Sequence, residues 1–521
     1  MKKIFFIIAI VASSLQIFAQ EPADALRYSW YIPGGTAREK AIGGAMGSLG
    51  GDLSAIFVNP AGLGFYKTGD FALTPAFNLL NNKASYFGHN EKDNKNNLAF
   101  GTTGFVVGGS TPREAQRKRS SSIGIAINRM ADFNSNVLYR GINTQSSYSQ
   151  KFLEEIQNNN VTDANAVAQD FPFGTSLAFN TYWIDTVAGG SSGNYQFQSR
   201  AVPLLPTGLI QENNIRSKGG ITEFALAGAI NYNDKFYMGF TLGFSLLNYE
   251  RNSDFTEADA TNNPNNNFDY ATISEYLRTS GGGVNLKAGI IYKPSESVRL
   301  GLAIHSPTFY QLTDKYSASV TTSTENYQGV QTQNSGIFTG GQDAQFKYWL
   351  LNPYRIIGSA SYVLHEVEDV RKQKGFISAD IEYINYKASS FSTDPSNDDQ
   401  SSKDYFKSLN KAIDNAYKGA FNFRIGGELK FTTIMARLGA SYYGNPYKNL
   451  NGEKGNLFQA SGGLGYRNKG MYVDLTYIYT MGKDVNSPYR LQYAAFPSAN
   501  IKSSGSNVVV TLPLPGFRAP F

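Results

Sequence analysis

The chain of 521 residues contains no cysteine. That excludes a disulfide frame, a thiolate nucleophile, a cysteine-held metal and lipid attachment at an N-terminal cysteine. Histidine is nearly as scarce: His89, His305 and His365 are the three present, and none has a partner at metal-ligand spacing. A hydrolytic triad would have to be built on one of them, with no Gly-x-Ser-x-Gly elbow to present a nucleophile. The glycine-rich run 43–51 lacks both the apolar strand before a phosphate loop and the Gly-Lys-Ser/Thr ending after it. No active site, metal or cofactor is therefore expected, and the chain reads as a non-enzyme. Forty-seven Lys and Arg are dispersed among 41 Asp and Glu, a balance that predicts no nucleic-acid partner. Beyond the N-terminus, no window approaches the roughly 20 apolar residues of a membrane helix.

The N-terminus itself reads as a secretory signal over residues 1–19. Lys2 and Lys3 form its charged end, Ile4 to Ile17 its apolar stretch, and Ile17-Phe18-Ala19 a cleavage site before Gln20. Removing the two lysines lowers the formal charge from +6 to +4.

What the chain does have is alternation. Phe236, Met238, Phe240, Leu242, Phe244 and Leu246 interleave with small or hydroxylated residues. A strand sends successive side chains to opposite faces, so one face here is continuously apolar. Fourteen such stretches are predicted: 68–80, 95–109, 119–133, 216–232, 235–250, 281–293, 297–313, 344–363, 374–388, 418–431, 433–446, 455–467, 470–482 and 504–517. Short links such as Asn233-Asp234 and Asn468-Lys469 alternate with long ones, the longest about 82 residues at 134–215. Short turns on one side and long loops on the other are the pattern of an outer-membrane barrel. Aromatics at 14% and 52 glycines fit its interfacial girdles and tight interior. The fold class is thus all-β, a 14-stranded antiparallel transmembrane β-barrel over residues 67–521, in the outer membrane of a Gram-negative bacterium. Two long loops carry helical spacing, at Tyr148, Phe152 and Ile156 and at Phe406, Leu409 and Ile413, while 251–269 and 390–404 read as solvated loop.

Strict alternation turns charges inward. Lys287, Arg299, His305, Asp380, Glu382, Arg424, Glu428, Arg437 and Asp474 all fall opposite apolar neighbours. An Arg or Lys on the lipid face near mid-membrane costs about 2–4 kcal/mol, which decides the assignment. These residues are lumen-lining candidates, expected to pair with one another or with an interior plug.

That plug is residues 20–66, where glycine pairs separate apolar pieces too short to cross a membrane. Its run Gly-Gly-Asp-Leu-Ser-Ala-Ile-Phe-Val-Asn-Pro-Ala-Gly-Leu-Gly, residues 50–64, resembles the N-terminal hatch of the FadL/TodX family, outer-membrane transporters of long-chain fatty acids and aromatic hydrocarbons. The family's Asn-Pro-Ala signature falls on Asn59, Pro60 and Ala61, followed by Gly62. Pro60 fixes its own φ and biases Asn59 to an extended conformation, from which the amide can tie a tight turn. The style of the chain is similar to the family's Bacteroidota branch. The resemblance implies a monomer that admits a hydrophobic small molecule passively, gated by the hatch and surrounded by outer-membrane lipid. It also implies sideways exit at a strand kink, with candidates around 128–133 and in the proline-bearing eighth strand. The alternative is a non-transporting barrel that acts in secretion or surface assembly through its external loops.

Overall fold

The computed structural model describes residues 21–110, 119–187, 193–364, 374–397, 399–448, 455–468 and 471–513. The expected signal segment 1–19 and His365 lie outside the described residues. The chain is mostly β, and no described helix is long and apolar enough to cross a membrane.

Strands succeed one another in antiparallel pairs. Leu209–Tyr232, Phe236–Asp259 and Tyr270–Tyr292 pair along almost their whole lengths. Their turn at Asn233-Asp234 has positive φ at both residues (56° and 53°), as a primed two-residue hairpin requires. The last strand, Ala499–Thr511, pairs with Met471–Asn486 on one side and Pro75–Tyr86 on the other, from Ala76↔Val509 to Ser85↔Asn500. The alternation survives in the burial. Along Gly419–Lys430, Phe421, Phe423, Ile425 and Leu429 are about half exposed, whereas Asn422, Arg424 and Glu428 are buried.

Several strands run further than predicted. Residues 251–259, which read as solvated loop, continue the strand Phe236–Asp259, and 270–280 precede the expected start at 281. These extensions carry hydroxyls and amides rather than an apolar outer face, so hydropathy alone does not reveal them. Phe255, Ile273 and Leu277 are nonetheless buried within them. The stretch containing His89, which lies between the expected strands 68–80 and 95–109, is also part of a hairpin, turning at Phe87-Gly88. Part of 390–404 is likewise regular, with a strand at Ser390–Thr393 and a helix from Gln400. Where 344–363 was expected as one strand, Asn352-Pro353-Tyr354 interrupts it. Ser306-Pro307-Thr308 interrupts the neighbouring strand. Proline has no N–H to give the ladder, and the two breaks lie side by side, Asn352 N–H donating to Thr308 O.

Against the inward face of the strands lies the N-terminal segment. It consists of the short helices Pro22–Arg27, Ala37–Ala41 and Ala55–Val58 and the 3₁₀ turn Pro60–Phe65. Its first residues climb to the long-loop end, where Trp30 stacks on Tyr386 at 5.6 Å. There Tyr28 and Tyr31 join a buried apolar cluster with Phe406, Leu409 and Ile413 of the helix Gln400–Ala416. Asp399 caps that helix by accepting from Ser402 N–H. The longest link folds into a separate cap around Phe152, Trp183, Phe255 and Tyr489. The buried Glu257 anchors it, accepting from Ser147 Oγ, Tyr148 N–H, Trp183 Nε1 and Gln211 Nε2.

Candidate functional site

The Asn-Pro-Ala-Gly turn sits at the bottom of this interior, with Asn59, Pro60, Ala61 and Gly62 all buried. Asn59 is extended (φ −143°, ψ 102°), the conformation that the following proline favours. Its Oδ1 accepts from Ala61 N–H at 3.1 Å, closing the turn. Its Nδ2 donates to Gly47 O at 2.6 Å and to Ile290 O at 3.2 Å. One amide therefore ties the turn, the rest of the N-terminal segment and the barrel wall together.

The inward charges fall into groups that hold the same segment. His305 Nε2 donates to Val58 O at 2.9 Å, and Arg299 donates to Leu49 O at 2.7 Å. Asp380 accepts from Gly47 N–H at 3.0 Å and from Ser359 Oγ. Glu382 is paired with Arg424 and with Arg355, whose other nitrogen donates to Ser29 O at 2.6 Å. Arg437 bridges Glu428 (2.6 Å) and Asp474 (2.5 Å), and Arg38 of the N-terminal segment approaches Glu428 at 3.4 Å. Lys287 pairs with Glu223. Buried charges with partners at these distances meet the requirement that burial imposes. His305, Arg299, Asp380 and Arg355 also reach backbone atoms of the N-terminal segment, and Glu428 reaches its Arg38 side chain.

Between plug and wall remains a narrow cavity of mixed character, bordered by Tyr31, Phe57, Lys287, Asn352, Arg355 and Arg424. Burial pushes the Glu39 carboxyl at its edge up to about 8. Glu223, Arg355 and Asn352 escaped the sequence reading. The first lies in a strand whose outer face gave the signal, and the other two flank the proline break.

Glycines on the inward face form a second set that sequence reasoning missed. A Cβ on Gly239, Gly289, Gly301, Gly426 or Gly439 would overlap the plug at Pro60, Asn59, Gly47, Ile42 or Gly43, respectively. The wall is hollowed where the plug backbone rests. The available signal was a glycine between two outward apolar residues, as in Leu300-Gly301-Leu302.

One place in the wall is different. Thr103–Ser110 pairs with Arg119–Asp132, the third of the expected strands, only up to Ile127. Beyond it, among the described residues, no backbone pairing joins His89–Phe100 to residues 128–143. The third strand meanwhile stays paired to Leu209–Tyr232, with a bulge between Arg129 and Ala131. The plug spans the start of this seam. Gly34 N–H donates to Arg129 O at 2.7 Å, and Thr102 N–H donates to Gly35 O at 3.0 Å. Asn128 Oδ1 accepts from Gly35 N–H at 3.1 Å. Further along, side chains rather than backbone bridge the seam: Asn97 to Asp132, Asn82 to Ser135, and Asn136 to Asn94 O. The proline-bearing eighth strand, the other kink candidate, keeps its neighbours on both sides of its break.

No protein-family model matches the chain, and no curated protein matches it. Among solved structures, a FadL homologue from Pseudomonas aeruginosa superposes with a TM-score of 0.51 at 13% identity, covering 93% of this chain and 99% of that one. The toluene transporter TodX of Pseudomonas putida gives 0.47 at 12% identity, over 92% and 98% of the two chains. The toluene transporter TbuX of Ralstonia pickettii gives 0.45 at 14%, over 93% and 98%. The first of these shows a shared fold, and the other two superpose too loosely to add to it.

Proposed function

We propose that this chain is a fourteen-stranded outer-membrane barrel through which hydrophobic small molecules, long-chain fatty acids among them, enter passively. Residues 20–66 act as a hatch, and the cargo leaves sideways through the seam beside the third strand. The observation that carries this reading is the bridge of Gly34 and Gly35 across the seam. A wall that lacks its own pairing there, and borrows three hydrogen bonds from a plug, opens when the plug shifts. Each such bond contributes roughly 1 kcal/mol net, so a modest movement of the hatch suffices. The shared fold with a FadL homologue is consistent with this route.

The absence of cysteine permits a clean test. Asn94→Cys and Asn136→Cys, on facing sides of the seam, form a disulfide under oxidation that locks it. Uptake of a labelled long-chain fatty acid and of a monoaromatic hydrocarbon is measured in cells before oxidation, after it and after reduction. Reversible loss of uptake supports the route. Uptake that ignores the redox state removes lateral exit. No uptake by the parent protein across the panel, together with a stoichiometric protein partner on purification, favours the secretion or assembly reading.

A further inference from the structure

The outer wall carries an apolar groove far from the seam. Gly358, Ala360, Ala379 and Ala440 form its floor, and Phe423 and Phe458 stand at its sides. Pairing aligns them across neighbouring strands: Ala360 with Ala379, Ile425 with both Ala379 and Ala440, and Phe423 with Tyr442. The groove is shallow and open, with a volume of about 640 Å³, within the range that holds a small ligand or part of a lipid chain. Gly358, Ala360, Ala379 and Ala440 lie close together among larger outward residues such as Ile356, Ile381, Phe421 and Leu438, and leave a depression into which a flexible hydrocarbon fits.

At the long-loop end of the same strands lies a basic cluster. Lys387 Nζ is 3.9 Å from Asp414 Oδ1, and Lys448 Nζ donates to the Asp414 carbonyl. Lys411 lies one helical turn before Asp414. Lys418 N–H donates to Pro446 O and Lys448 N–H to Ala416 O, which brings both lysines to this end of the helix. Four lysines thus gather at the end of the helix that carries Asp414, and Lys387, Lys411 and Lys418 are exposed. Lys418 precedes Phe423 by five residues, about 17 Å along a strand. Tyr383 and Phe421, with rings 5.0 Å apart, occupy the intervening aromatic level.

We propose that this face holds a membrane lipid of the outer leaflet with a phosphate-bearing headgroup, its acyl chain in the groove and its phosphate among the lysines. The proposal rests on the outer-membrane reading above. Charge and shape select the same occupant: the groove accepts hydrocarbon, and the net positive charge above it accepts an anion.

The test places a tryptophan reporter in the groove (Phe423→Trp) and another on a distant outward position (Phe244→Trp), each read against the parent protein. The full chain is reconstituted in phosphatidylcholine vesicles containing bromine-labelled phosphatidylglycerol or bromine-labelled phosphatidylcholine. A lysine near a membrane surface is worth enough for about a fivefold preference. The groove reporter should therefore be half-quenched at about fivefold less labelled phosphatidylglycerol than labelled phosphatidylcholine. The distant reporter should show no preference, and Lys411→Glu with Lys418→Glu should abolish that of the groove. Native mass spectrometry of the chain without reporters should find retained phosphatidylglycerol that the double-lysine variant loses. Equal quenching of the groove reporter by both lipids overturns the proposal while leaving the membrane reading intact. A dimer that shields the groove reporter assigns the surface to a second copy and also overturns it. A distant reporter that neither lipid quenches means that the membrane reading itself has failed.

Discussion

Asn59 concentrates several tasks in one amide, and its replacement separates them. Asn59→Ala removes the turn closure and the donors to Gly47 O and Ile290 O, leaving buried carbonyls unmet at a cost of about 1–3 kcal/mol. The midpoint of denaturant unfolding should fall accordingly, and protease should cleave the N-terminal segment sooner. An unchanged midpoint would mean that the turn is incidental. Glu39 makes a second residue-scale prediction. Burial raises its docked pKa to about 8 from an ordinary 4.5. Below 4.5 the carboxyl is protonated whether docked or not. Between 4.5 and 8 only the undocked form ionises, so docking weakens as pH rises through that window and levels off above it. Thermal stability should decline from pH 5 to pH 8 in the parent and stay flatter in Glu39→Gln; parallel profiles would refute the assignment. Asn59 was visible in sequence because a proline follows it. Glu39 was not, because nothing in its neighbours indicates that a wall folds around them.

At the scale of elements, the seam and the N-terminal segment depend on each other. Gly101 has the Gly35 carbonyl where a Cβ would be, with Thr74 Cγ2 at 2.8 Å. Gly101→Ala therefore displaces Gly35 from its bridge across the seam. Overpacking of this kind costs about 1–3 kcal/mol, and the bridging hydrogen bonds go with it. In planar bilayers the variant should show more frequent or larger open-channel currents than the parent. Currents indistinguishable from the parent would detach the plug from gating. The two loop helices were readable, since Phe152 and Ile156 in one and Phe406, Leu409 and Ile413 in the other recur at helical spacing and are buried. The strand extensions were not, because alternation there lacks an apolar half. Nor was the missing pairing beside 128–143, since hydrogen-bond partners lie far apart in sequence.

For the whole molecule, the decisive quantity is the environment of the outward belt. Leu226, Phe244, Ile425 and Leu438 are exposed on faces whose opposite sides carry polar and charged groups. In lipid, Ile425→Arg costs about 2–4 kcal/mol near mid-membrane. The same change on a water-exposed surface would stay within about 0.5 kcal/mol. Unfolding from lipid vesicles distinguishes the two, and the smaller value would contradict a membrane location.

The amino-acid order alone determined which face of each strand is apolar, because side chains alternate with period two whatever the strand's neighbours are. It likewise put the nine inward charges on the other face, and the Asn59-Pro60 turn in its local shape. Only the tertiary structure decided what those inward groups grip. Arg299, His305 and Asp380 reach plug backbone atoms more than 240 residues away in sequence. Only there, too, did the wall glycines acquire a purpose, and the third strand an edge that the plug must complete. Contacts of that kind depend on how distant strands pack around the segment and on close backbone approach, which no local pattern of residues encodes.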